Sequence, residues 1–137
     1  PGSRCSEMVQ NIDYAPTLLQ AAGIKVPQEV QGRSLMPLLK NEIPIDWRSS
    51  ILYTYYGKDA HAVVSHWGVR TERYKLIEFF PLGEWEFYDL KKDPLEMQSE
   101  YNNPDYHDVI AALKKEMERL FTQYKLNPAP RRKRLSG

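Results

Sequence analysis

Residues 65 to 80 read SHWGVRTERYKLIEFF, two runs rich in β-branched and aromatic residues around a polar link from Thr71 to Arg73. Strand-forming residue types on both sides of so short a link predict an antiparallel hairpin. Its arms extend to HAVVSHWGVR (61–70) and RYKLIEFF (73–80), with SSILYTYY (49–56) before them and EWEFYDL (84–90) after. Four such runs joined by polar or Gly/Pro-bearing connections predict a small antiparallel sheet.

Beyond the sheet, YDLKKDPLEMQSEYNNP is a polar connector interrupted by two prolines. Asn103 then Pro104 form an N-cap and first-turn pair, and Ile110, Leu113, Met117, Leu120, Phe121 and Tyr124 recur at helical spacing. That pattern predicts one long helix with an apolar side for the sheet and Lys114, Lys115, Glu118 and Arg119 outward, ended by Asn127 and Pro128. Ahead of the sheet, residues 8–22 hold a short helix with Pro16 in its first turn and Gly23 as its stop. Ser34–Lys40 holds another, capped by Ser34, with Leu35, Leu38 and Leu39 on one side. The expected fold class is α+β: short helices, a four-stranded antiparallel sheet, and one long C-terminal helix packed on it.

The chain has 137 residues, 42% of them hydrophobic, enough for one compact domain with a core. Nineteen Lys plus Arg against eighteen Asp plus Glu give a net charge of +1, so no global field recruits nucleic acid or an acidic membrane. No apolar run approaches the roughly 18 residues of a membrane span. The single cysteine, Cys5, excludes an internal disulfide framework and leaves the redox compartment open. The start, PGSRCSEMV, has neither an initiator methionine nor the charged and apolar segments of a signal peptide, and reads as the tail of something longer.

The short catalytic signatures HExxH, CxxC, GxSxG and the glycine-rich phosphate loop are absent. Of the three histidines, His107 sits among acidic residues and reads as solvated. His61 and His66 are five apart, which on a regular strand puts them on opposite faces and prevents them from clasping one metal. A plain structural role for His66 is a ring satisfied by a backbone carbonyl. Glu84 and Glu86, and Asp89 and Asp93, read as solvent-facing or turn residues, not an acid/base pair. RRKR (131–134) reads as a solvated run in a basic tail.

Two blocks nonetheless carry a specific resemblance. NIDYAPTLLQAAGIKVPQEVQGRSLMPLL supplies Asp13, Pro16, Thr17, Leu18, Leu19, Ala22, Gly23, Pro27, Gly32, Ser34, Leu35, Pro37, Leu38 and Leu39, a D-x-x-P-T-L-L-x-x-A-G, P, G-x-S-L-x-P-L-L pattern. GVRTERYKLI with EWEFYDLKKDPLEM supplies Val69, Arg70, Thr71, Tyr74, Lys75, Ile77, Tyr88, Asp89, Leu90, Asp93, Pro94 and Glu96. In this order and at this spacing, from about Ser6 to Tyr124, the chain resembles the C-terminal part of type I, formylglycine-dependent sulfatases of the alkaline phosphatase superfamily. Ser99 and Glu100 depart from the Asn-Leu of many relatives, which bears on loop bonding.

The resemblance implies residues 1–46 as the end of the large sulfatase domain, 47–126 as the C-terminal subdomain and 127–137 as a flexible basic tail. It implies a sulfuric ester hydrolase that uses calcium and formylglycine, acting on a sulfated carbohydrate and in particular a hexosamine-bearing glycan. It also implies export to the periplasm or beyond. The modified cysteine of such enzymes lies in a C-x-P-S-R type sequence; here Cys5 follows Ser-Arg with no proline in place. The catalytic residues are therefore expected in a missing N-terminal sulfatase domain, and this segment alone should be inactive, with none of its residues catalytic or metal-binding. Asp13 is read as an N-cap, and Arg70 and Lys75 as hairpin ion-pair or packing residues.

The subdomain's role is expected to be substrate framing. His66 and His61 are the substrate-binding candidates, with Trp67 or Tyr56 as a stacking surface for a pyranose. Two alternatives remain. A free-standing carbohydrate-binding or interaction module predicts that Met8, Ile12, Leu18 and Leu19 pack inside the chain, whereas an unfilled apolar face indicates a missing large domain. A polyanion binder predicts salt-sensitive affinity that depends on residues 131–134.

Overall fold

The computed structural model describes residues 2, 4–57 and 63–127. The chain divides into two compact units, Pro1–Ser49 and Ser50–Gly137.

In the first unit a 3-10 turn, Asn11–Asp13, runs into helix α1, Tyr14–Ala21. Pro16 sits in the first turn of α1, where its missing N–H costs nothing. Gly23, at φ 70°, supplies the left-handed stop after it. Helix α2 is a single turn, Met36–Leu39, with the Ser34 hydroxyl accepting from the Met36 N–H at 3.2 Å. Leu38 is buried but Leu39 faces solvent, so the two do not share a packed side as their spacing suggested. Thr17 ties the pieces together: its hydroxyl donates to the Asp13 carbonyl at 2.6 Å and accepts from the Leu35 N–H at 2.8 Å.

Asp13 does more than start a helix, and its expected side-chain N-cap on α1 is not formed. Its carboxylate is fully buried. It accepts from the backbone N–H of Gln10 and of Arg33, both at 2.8 Å, and takes a two-pronged contact from the Arg48 guanidinium, one prong at 2.7 Å. Burial pushes this carboxyl up; the Arg48 hydrogen bonds, with the Arg33 and Gln10 N–H groups, outweigh that and leave it below its ordinary value. Trp47 lies against both Arg33 and Arg48, with guanidinium carbons 4.7 and 5.2 Å from its ring centroid. Meanwhile Tyr14 and Leu18, one turn apart on α1, are 62% and 69% exposed, and Val9, Ile12, Ile24, Ile43 and Ile45 are exposed as well.

The second unit holds the sheet. Strands β1 (Ser50–Tyr55), β2 (His66–Thr71), β3 (Tyr74–Phe79) and β4 (Glu84–Asp89) pair in the order β1-β2-β3-β4, every neighbour antiparallel. β2 is shorter than the sequence suggested: it begins at His66, after Val63–Ser65 without regular structure. The β2–β3 link is bracketed by Thr71, whose hydroxyl accepts from the Tyr74 N–H at 2.9 Å. Gly83, at φ 69°, turns β3 into β4.

After β4 the connector runs along its edge. The Phe87 N–H donates to the Ser99 hydroxyl at 3.1 Å, and the Glu100 N–H donates to the Phe87 carbonyl at 2.9 Å, so Ser99 takes over a side-chain bond at that position. The Asn103 side chain accepts from the Asp105 N–H at 3.0 Å and caps a 3-10 turn, Pro104–Tyr106, which leads into helix α3, His107–Gln123. The helix stops before Asn127: Lys125 adopts φ 51°, and the Leu126 N–H returns to the Phe121 carbonyl at 2.9 Å, a left-handed cap formed without glycine. Pro128 and the RRKR run lie outside the described residues.

Alternation sorts the sheet into two faces. Leu52, Trp67, Val69, Leu76 and Phe87 join Ile110, Leu113, Met117, Leu120, Phe121 and Tyr124 of α3 in one core. Trp67 stacks on Phe80 with ring centroids 4.2 Å apart and meets Phe121 edge-on at 5.0 Å. Its indole N–H donates to the Glu78 carboxylate at 2.7 Å, across the register pair Trp67–Glu78. At the rim of this face Asp89 is buried, contrary to its expected turn role. It accepts from Arg73 at 3.1 and 2.8 Å, from the Tyr106 hydroxyl at 3.2 Å and from the Lys91 N–H at 3.2 Å. The Arg73 hydrogen bonds, foremost, hold its carboxyl down to about 2.

Gly68 lies opposite Tyr53 in the β1–β2 ladder. A Cβ at Gly68 would stand 2.4 Å from the Tyr53 hydroxyl oxygen and 2.8 Å from the Leu76 carbonyl oxygen. The glycine is what lets the Tyr53 ring lie across its neighbour strand. Gly68→Ala should therefore lower the stability of the second unit by about 1–3 kcal/mol, the range of an overpacked core site. A melting temperature equal to that of the parent chain would contradict this.

Candidate functional site

The face of the sheet turned away from α3 carries the residues of opposite parity: Tyr53 and Tyr55 from β1, His66 from β2, Lys75 and Phe79 from β3, Glu86 and Tyr88 from β4. Register pairs His66 with Tyr55, and their rings stack at 5.5 Å and 27°. Phe79 lies 5.4 Å from the His66 ring and Tyr53 6.1 Å, the latter edge-on. The His66 Nδ1 is held by the Val64 carbonyl at 2.8 Å. Because that contact assigns the Nδ1 proton, a neutral ring keeps its lone pair on Nε2, and a protonated ring donates from Nε2 instead. The imidazole is thus fixed in plane and orientation by three aromatic rings and one carbonyl, and its Nε2 meets no hydrogen-bond partner among the described residues.

Next to it the Tyr53 hydroxyl is buried with no hydrogen-bond partner among the described residues. Burial, then the Glu96 and Glu86 carboxylates, push this phenol far above its ordinary range, so it stays neutral at any working pH. The Lys75 ammonium approaches the Tyr53 ring at 5.7 Å and forms an ion pair with Glu96, in line with its expected role; Arg70 is exposed. Glu96 reaches Lys75 from a left-handed residue conformation, φ 55°, in the connector. Tyr88 donates to Glu86 at 2.9 Å, and burial together with that bond pushes its phenol up to about 12.

Of the residues singled out from sequence, His66 takes its place here, and its ring meets the backbone carbonyl expected of a plain structural role. His61 lies outside the described residues. Trp67 cannot serve as a sugar platform, because it is fully buried beneath α3. Tyr56 remains exposed, 6.3 Å from Phe80. Sequence reasoning missed Tyr53, Tyr55 and Phe79, although the alternation that puts His66 and Trp67 on opposite faces would have found them.

Among the described residues the arrangement pairs no nucleophile with a base; what it presents is a fixed imidazole nitrogen beside aromatic rings, groups that can meet a hydroxyl and pack on an apolar face. A calcium ion and a formylglycine do not fit these residues. Among the described residues no three His, Cys, Asp or Glu side chains come together to hold a metal. The buried carboxylates Asp13 and Asp89 are committed to Arg48 and Arg73, and Cys5 is exposed. No helix among the described residues is long and apolar enough to cross a membrane.

A four-stranded antiparallel meander under one long helix is the C-terminal subdomain architecture of the sulfatases. The family model "N-sulphoglucosamine sulphohydrolase, C-terminal" matches residues 1–123, and the chain belongs to that family. It is 43% identical over 130 residues to an N-acetylglucosamine-6-O-sulfatase of Bacteroides thetaiotaomicron, covering 92% of this chain and 23% of that protein. Among solved structures it is similar to BT4656 in complex with its substrate D-glucosamine-2-N,6-O-disulfate, with a TM-score of 0.79, 43% identity, and coverage of 82% of this chain and 24% of the other. A phosphonate monoester hydrolase of Agrobacterium radiobacter shares the fold with a TM-score of 0.77 and 25% identity, over 90% of this chain and 27% of the other. The chain thus spans about a quarter of the length of the relatives it matches.

Proposed function

We propose that the protein carrying this chain hydrolyses a sulfate ester on a sulfated carbohydrate, with a 6-O-sulfated glucosamine as the best-supported sugar. These residues would frame the substrate and support the fold. The observation that carries the reading is the 43% identity to an N-acetylglucosamine-6-O-sulfatase across nearly the whole chain. In this reading residues 1–46 are the edge of the large domain, 47–126 the C-terminal subdomain and 127–137 a tail. The formylglycine and calcium that supply the attacking oxygen and the charge neutralisation come from residues outside this chain. Export to the periplasm or the exterior fits a protein that meets glycans.

His66, and with it His61, is the substrate-binding candidate. A neutral His66 accepts a sugar hydroxyl at Nε2, and a protonated one donates to a sulfate oxygen. The exposed apolar residues of α1, Tyr14 and Leu18, favour this reading over a free-standing binding module, because a self-contained module would cover them.

The test is kinetic and uses the whole protein. His66→Ala should lower kcat/KM on N-acetylglucosamine-6-sulfate by about tenfold or more, with turnover of a simple aryl sulfate unchanged. An equal loss on both substrates would make His66 a packing residue, and no turnover of any sulfated sugar by the whole protein would end the reaction assignment.

A further inference from the structure

At the β4 edge of the second unit, on the face that bears α3, Trp85 and the connector residue Tyr101 lie with ring planes 8° apart and centroids 6.0 Å apart, so their faces look the same way. Both rings pack partly against the core. Lys114 of α3 reaches over the pair: its Nζ is 4.5 Å from the Trp85 centroid and 5.0 Å from that of Tyr101, and it donates to the Tyr101 hydroxyl at 2.7 Å. Among the described residues Lys114 has no ion pair, whereas Lys75, Arg48, Arg73 and Arg119 each meet a carboxylate. Its charge is therefore held in place by the Trp85 ring and the Tyr101 hydroxyl, and it meets no carboxylate among the described residues.

Beside this cation lies a depression of about 320 Å³, lined by Tyr101, Asn102, Asn103, His107 and Lys114 with Ile110 at its base. His107, Ile110 and Lys114 recur at helical spacing along one stripe of α3. The Asn103 amide is taken by Glu100 and the Asp105 N–H, but the Asn102 side chain is exposed and has no hydrogen-bond partner among the described residues. An aromatic face takes the C–H side of a pyranose, an amide reads hydroxyls, and a fixed ammonium takes an acidic substituent.

We propose that this depression binds an acidic saccharide unit, one bearing a sulfate or a carboxylate, independently of His66. Lys114 meets the acidic group, Tyr101 the ring and Asn102 the hydroxyls. The pinned Lys114 side chain makes the site pre-organised, since little rotamer freedom remains to be lost on binding. The ligand class follows from these side chains and does not depend on the reaction proposed above.

The experiment is a titration of the whole protein that carries this chain, followed by ¹⁵N–¹H spectra, with a heparin-derived sulfated disaccharide, an unsulfated uronate disaccharide and inorganic sulfate as separate probes. Saturable shifts at residues 101–114 with either disaccharide, weakened by added salt, are expected. Lys114→Met keeps the apolar stem over the rings and Asn102→Asp changes an exposed residue; each should weaken binding by about fivefold or more with the spectrum otherwise intact. Binding of both disaccharides assigns the site to acidic sugars generally, and binding of the sulfated one alone narrows it to sulfate. No shifts at residues 101–114, the same response to inorganic sulfate alone, or an affinity unchanged in both variants would overturn the proposal. Because no turnover is read, the outcome is separate from that of the His66 kinetics.

Discussion

Trp67→Ala should destabilise the second unit by about 3–5 kcal/mol, the cost of deleting a fully enclosed aromatic residue. The ring is completely buried, stacked on Phe80 and edge-on to Phe121, so its loss opens a void between β2, β3 and α3. The substitution also removes the indole N–H from the buried Glu78 carboxylate. For a unit of this size the expected drop in melting temperature is roughly 4–8 °C per kcal/mol. Trp67→Phe is the milder comparison: it keeps one aromatic ring in the slot but loses the N–H donor and part of the indole's bulk, so it should cost about 1–3 kcal/mol. Urea denaturation of the two variants separates the contributions, and near-equal costs would mean that the hydrogen bond, not the packing, dominates this site.

Trp67 also shows how legible the sequence was. The apolar side of α3 could be read directly, because each of Ile110, Leu113, Met117, Leu120, Phe121 and Tyr124 is set by a local period of 3.6, and all six are buried. The sheet was legible for the same reason, since strand composition and short links are local signals. Function-minded reading put Trp67 and His66 at one surface, yet adjacent strand residues point to opposite faces, and the stretch quoted at the start already excluded it. The ring cluster around His66 was harder to see. It needs register: Tyr55 meets His66 only because β1 pairs with β2 at that offset, and Gly68 matters only because Tyr53 falls opposite it.

Asp89 and Asp13 were invisible for a related reason. Their partners are Arg73 and Tyr106 for the one, Arg33 and Arg48 for the other, and the Asp13 bonds span 20 and 35 residues. A turn or cap assignment weighs only neighbours within four residues. Ser99 is an intermediate case: its departure from the family pattern pointed to loop bonding, and its hydroxyl indeed accepts from β4, but the partner strand could not be named from the loop alone.

The long reach of Asp13 makes the second large expected effect. Asp13→Ala should cost the first unit about 3–5 kcal/mol, because it strands the buried Arg48 guanidinium and orphans the Gln10 and Arg33 N–H groups together. Hydrogen exchange at those two amides reads the effect directly: both should lose protection. Gly32 supports the same junction, since a Cβ there would stand 1.9 Å from the Ile12 carbonyl oxygen, which is backbone and cannot swing aside. Gly32→Ala should therefore open the Arg33–Asp13 bond even with the carboxylate intact. The pH dependence has a definite sign. The folded Asp13 carboxyl lies below its ordinary value of 3.8, so its contribution is complete above that pH and is lost as pH falls through the folded value. The parent chain should lose Gln10 and Arg33 protection on acidification below about pH 4, whereas Asp13→Asn, with no charge to lose, should be flat there. An Asp13→Ala chain with parental protection at both amides would show that Arg48 and the two N–H groups find other partners, and that the carboxylate does not organise this unit.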